Sequence, residues 1–73
     1  MRLNYALGNF GNGSSVVAFA SAAKRDEFVA WGEKQADLRD KITAKDAYKR
    51  LGIKTYPVAI VIQETGERVY ICR

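Results

Sequence analysis

The residues able to do chemistry are few and scattered. The chain of 73 residues has no histidine and one cysteine, Cys72. Ser-His and Cys-His catalysis are therefore excluded, as is a Cys/His zinc site. The carboxylates fall as Asp26-Glu27, Asp37 with Asp40, and Glu64 with Glu67. These positions belong to a helix surface, a connector and a turn, and no spacing sets two of them across a cleft for acid–base work. Gly8 and Gly13 have the separation of the glycines in a phosphate-cradling loop, but Ser14 stands where that loop requires lysine, and a strand follows where it requires a helix. No enzymatic activity, cofactor or metal site is expected from these residues. Cys72 beside Arg73 reads as an inert strand thiol.

Charge is the stronger signal. The net charge is +4, and the segment from Lys34 to Lys54 carries seven basic and three acidic residues, so the whole excess lies there. Such a segment suits an acidic protein surface, nucleic acid or anionic lipid, or forms an ordinary solvated helix face.

The elements that would position these groups follow from periodicity and punctuation. Arg2 to Leu7 alternates as a half-buried strand, with Leu3, Tyr5 and Leu7 inward and Arg2, Asn4 and Ala6 outward. Gly8 to Ser15 reads as a hairpin loop with Phe10 at its tip, and Ser15 to Ala20 as the returning strand. Ser21 is a helix N-cap, and the helix runs to about Lys34, with Phe28 and Val29 toward the core and Trp31 half-buried at the edge near Lys24. Gln35 to Lys41 is a polar connection. A second helix starts at the Thr43 cap, with Asp46 as the capping-box acid, and stops at Gly52. Its wheel groups Ala44, Ala47, Tyr48 and Leu51 inward and leaves Lys45, Lys49 and Arg50 in solvent.

Pro57 then leads into the apolar run Val58 to Ile62, and the turn at Glu64 to Glu67 returns it as Arg68 to Cys72. Val58, Ile60 and Ile62 share one face with Val69 and Ile71. The opposite face, with Ala59, Val61, Arg68, Tyr70 and Cys72, joined by Arg2, Asn4 and Ala6 if the first strand lies alongside, is semi-apolar. The expectation is a single α+β domain over 1–73 of order ββααββ: a four-stranded, mostly antiparallel sheet with two helices packed on one face. One face of that sheet would stay open as a binding or dimer surface.

Two resemblances bear on function. Ala44 to Ile53, Thr55-Tyr56-Pro57, the apolar strand and the Thr65-Gly66-Glu67 turn are together similar to the helix, proline-entered strand and hairpin in the C-terminal half of thioredoxin-like proteins. That family's cis-proline lies against a Cys-x-x-Cys pair. This chain has no such pair, so redox activity is not implied. In size, Gly-rich loop and lack of catalytic residues, the whole chain resembles the short orphan proteins of bacteriophages and mobile elements. Many of these bind a host enzyme or a defence complex, anti-CRISPR proteins among them. The function expected is that of a non-enzymatic inhibitor, occupying a larger host protein or ribonucleoprotein through Phe10, Trp31, Lys45, Lys49, Arg50 and Tyr70. Direct nucleic-acid binding by the basic segment is the alternative, and self-association as a homodimer is compatible with both. A cytoplasmic setting is expected, since no run of about 18 apolar residues exists to span a bilayer.

Overall fold

The computed structural model describes residues 2–9, 13–35, 38–53 and 58–71. The expected loop-tip contact Phe10, the Tyr56-Pro57 bond and the thiol of Cys72 lie outside the described residues. In chain order the elements are β1 (Asn4–Asn9), β2 (Ser14–Phe19), α1 (Ala22–Lys34), β3 (Asp40–Ile42), α2 (Ala44–Leu51), β4 (Val58–Val61) and β5 (Arg68–Ile71). The order is thus ββαβαββ among the described residues. β3 replaces part of the expected polar connection. Two of its three residues are charged, so it carries no strand period of its own. Its extended form comes from antiparallel pairing with β1, Tyr5 opposite Ile42 and Leu7 opposite Asp40.

The expected four-stranded sheet is instead two small antiparallel sheets. One has the order β2-β1-β3, with Tyr5 opposite Ala18 and Ala6 opposite Val17; the other is the β4-β5 hairpin, with Ile60 opposite Val69. Among the described residues they are joined by one parallel bridge, between Ala18 and Ile62, where Gln63 N–H donates to the Ala18 carbonyl at 3.1 Å. Pairing stops there because the chain turns immediately. Gly66 adopts a left-handed φ of 72° and donates to the Ile62 carbonyl at 2.7 Å, which closes the loop back into β5. Ile62 itself is wholly buried, so the junction is apolar as well as hydrogen-bonded.

The helices do not share one face. Neighbouring residues of a strand point to opposite sides of a sheet, yet Tyr5 and Ala6 are both buried. Ala6, Val17 and Phe19 cluster with Val29 of α1, with Phe28 against them. Tyr5 and Ala18 cluster with Ala47 of α2, Ile53 and Ile60. Each helix therefore covers its own side of the three-stranded sheet. Alternation alone sets Ala6 outward, because a small apolar residue at an outward position reads as neutral. In the fold it is the one size that lets α1 approach β1 closely.

α2 itself is capped at both ends as its residues require. Thr43 Oγ1 accepts the Asp46 N–H at 3.2 Å and donates to Asp46 Oδ2 at 3.1 Å. Gly52 turns left-handed at φ 67°, and Ile53 N–H donates to the Tyr48 carbonyl at 3.2 Å, with the Ile53 side chain buried. The inward arc is narrower than the wheel suggests, since Ala47 is buried and Tyr48 half-buried while Ala44 and Leu51 are exposed.

Candidate interaction surfaces

Three surfaces carry the residues singled out from the sequence. The first is the outer side of α2. Lys45, Lys49 and Arg50 are all exposed, and Asp46, the acid among them, is turned to the Thr43 cap. Lys49 and Arg50 border a shallow depression with Ile42 and Asp46. Arg50 also borders a second depression with Ser15, Val16 and Leu51, beside the end of the β1-β2 hairpin. These cations all stand exposed on the outer side of α2, an arrangement suited to contact with an extended anionic surface.

The second surface is built on α1. Trp31 is 51 % exposed, and Arg39 stacks on its ring. The Arg39 guanidinium carbon lies 4.4 Å from the Trp31 ring centroid and 4.1 Å from that of Phe28, and Phe28 in turn stands 5.1 Å from Phe19 at a tilt of 50°. A cation held between two ring faces is favoured by both ring quadrupoles, and arginine suits the place because its plane stacks while its charge is only weakly hydrated. Gly32 makes room for this: a Cβ there would overlap Cδ, Cγ and Nε of Arg39. The glycine that weakens the helix on paper is thus the notch through which the arginine stem passes. Arg39 is 4 % exposed, so Trp31 forms the outer wall of a packed column, with Leu38 exposed in the chain beside it. Near the same helix, Asp26 receives Lys41 at 3.0 Å and Arg25 at 2.8 Å. Hydrogen bonds from Lys41 and then Arg25 hold its carboxyl below the ordinary carboxylate range.

The third surface is the outer face of the hairpin. Ile60 and Ile62 are buried and Val69 is half-buried, whereas Ala59, Val61, Arg68 and Tyr70 are exposed, Val61 at 46 % and Tyr70 at 68 %. Register places Tyr70 opposite Ala59 and Arg68 opposite Val61, so the four form one patch. Its far end is tied down by Glu64, whose carboxylate accepts the N–H of Ala20 at 3.0 Å and of Ser21 at 3.2 Å, at the entrance to α1. Burial works against ionisation of Glu64, but the N–H groups of Ala20, Glu64 itself and Ser21, with Lys24 nearby, outweigh it and hold the carboxyl below its usual value.

The predicted contact residues therefore do not form one patch. Tyr70 and the first turn of α2 border a common cleft, Lys49 and Arg50 lie at the opposite end of that helix, and Trp31 belongs to the helix on the other side of the sheet. Gly32 and Arg39 went unrecognised as partners of Trp31. The available signal was a glycine inside an otherwise helical run, which is retained in such places for packing. Nothing in the sequence pairs Arg39 with it. Among the described residues, no group of three or more Cys, Asp or Glu side chains is placed to hold a metal ion, and no helix is long and apolar enough to cross a membrane.

Fold and surfaces together define a small α+β domain whose three-stranded sheet is covered on both sides and whose hairpin is covered on one. No known protein family matches the chain, and no curated protein or solved structure matches it.

Proposed function

We propose that this protein is a non-enzymatic interaction protein that binds a larger protein or ribonucleoprotein and blocks it sterically, as phage-type inhibitors of host or defence complexes do. The observation that carries this reading is the patch of Ala59, Val61, Arg68 and Tyr70 on the hairpin face that neither helix covers. A large exposed aromatic flanked by apolar side chains and an arginine has the composition of an interface centre, where tyrosine and arginine contribute most per residue. Trp31 offers a second anchor, held in place by Arg39. The basic face of α2 would act as a steering field, raising the rate of encounter with an acidic partner more than the final affinity.

The test is affinity capture from the source cells with the native chain and with Tyr70→Glu. One stoichiometric partner retained by the first and lost by the second supports the reading, and recovery of nothing above background removes it. A second reading is favoured by one specific observation, the three exposed cations Lys45, Lys49 and Arg50 on a single helix face: the same chain binding nucleic acid directly. That reading requires steep salt dependence and loss of binding in Lys45→Glu/Lys49→Glu, and a gel shift with no retained DNA or RNA at low salt eliminates it.

A further inference from the structure

A strand that ends a sheet offers its outward N–H and C=O groups to any strand that reaches it, and folds guard such edges by keeping them short, charged or covered. The guarding is uneven in this chain. β3 is 3 residues long, with Asp40 and Lys41 exposed. β2 opens with the exposed polar residues Ser14 and Ser15, and near its far end Ala18 is taken by Ile62. β5 pairs with β4 alone among the described residues, and after Arg68 it reads Val69-Tyr70-Ile71, all strong strand formers, with neither proline nor lysine.

Two hydrogen bonds fix which groups of β5 face outward. Ile62 N–H donates to the Glu67 carbonyl at 2.8 Å, toward β5, and Gln63 N–H donates to the Ala18 carbonyl at 3.1 Å, away from it. Backbone groups alternate in direction along a strand, so in the register that sets Ile60 opposite Val69 the N–H and C=O of Val69 turn inward to β4. Those of Arg68 and Tyr70 turn outward, where no strand meets them among the described residues. This edge also has room beside it. Val69 and Tyr70 point to opposite faces of the ribbon yet border one open cleft, and no β4 residue lines that cleft among the described residues, so the space lies along the free edge.

We propose that β5 pairs antiparallel with β5 of a second copy of this chain, about a two-fold axis at Val69, to form one continuous sheet across the two copies. The side chains select both the occupant and the register. Arg68 and Tyr70 are exposed on the same outer face with Val69 between them. An axis at Val69 sets Arg68 of each copy directly opposite Tyr70 of the other, so the outward backbone groups exchange hydrogen bonds in both directions and each guanidinium meets a tyrosine ring. An axis at Arg68 would oppose two like charges instead. On the inner face the half-buried Val69 meets its counterpart across the axis. The pairing needs no other protein, so it stands or falls separately from the function proposed above.

The test is sedimentation equilibrium of the purified chain alone, from about 10 µM to about 1 mM. The expected result is a mass that rises from monomer to dimer within that range, with the amides of Arg68 and Tyr70 gaining protection from hydrogen exchange as the dimer forms. Tyr70→Lys, which places a cation opposite Arg68 of the other copy, should weaken dimerisation by about tenfold or more. Arg68→Glu/Tyr70→Lys should recover most of that loss through an ion pair across the axis. A chain synthesised with the Tyr70 amide N-methylated keeps the ring, loses the outward N–H and should weaken dimerisation about tenfold or more. If the methylated chain fails to fold, the charge exchange at the two exposed positions carries the test. A mass that stays monomeric at about 1 mM, a dimer indifferent to Tyr70→Lys, or a double variant that recovers nothing would each overturn the proposal.

Discussion

The three-stranded sheet and the β4-β5 hairpin differ in how many of their faces are covered. In the sheet, consecutive residues Tyr5 and Ala6 are both buried, one beneath α2 and the other beneath α1. In the hairpin, Ile60 and Ile62 are buried while Val61 between them is 46 % exposed. A two-stranded ribbon is barely stable alone, and this one persists because its inner face belongs to the same core cluster as Tyr5, Ala18 and Ala47. Covered faces hold the fold, and the outer side chains of the hairpin stay exposed.

The sharpest way to break the contrast is at the junction. Ile62→Ala empties a wholly buried site shared by both sheets and should cost about 2–5 kcal/mol, read as a lowered midpoint in a urea melt. Gly32→Ala comes next. The added methyl overlaps the Arg39 stem and must expel it from between Phe28 and Trp31, at a cost of about 1–3 kcal/mol partly offset by the better helix propensity of alanine. Trp31 fluorescence should report the loss of the stacked guanidinium even if the net stability change is small.

Glu64→Gln tests the tie between the hairpin and α1 and should cost about 1 kcal/mol or less, since the group is largely solvated. Its folded pKa is depressed, so the stabilisation is present above the unfolded value, near 4.3, and is lost as pH falls through the lower folded value. Acid unfolding between about pH 5 and 3 should therefore be shallower in Glu64→Gln than in the native chain, with Asp26 contributing the same sign of dependence to both. Tyr70→Ala should have the smallest effect on folding, within about 0.5 kcal/mol, because an exposed side chain outside the core adds little.

Much of the local structure was legible because it is written in single residues with one strong use. Ser21 and Thr43 cap their helices through side-chain oxygens, Gly52 ends the second in the left-handed region, and the alternation in Val58 to Ile62 gives the register with Val69. What stayed hidden depends on distant partners. β3 is a strand only because β1 lies beside it, and the division of two helices between two faces turns on Ala6, whose size matters only once α1 is over it. The open face of the hairpin was legible from alternation, whereas its sharing with Ala6 and Asn4 failed for the same reason. Trp31 was legible as half-exposed, but the Arg39 column that fixes it joins residues on two elements and leaves no periodic trace.

On the function proposed here, the hairpin's outer face is a docking surface on a fold that does not need those side chains. The most direct measurement is a paired capture from source cells with the native chain and with Val61→Glu/Tyr70→Glu, each checked by thermal melt. A single stoichiometric partner, lost by a variant whose melting temperature is unchanged within a few degrees, is the predicted result. Equal recovery of that partner by both chains would contradict it.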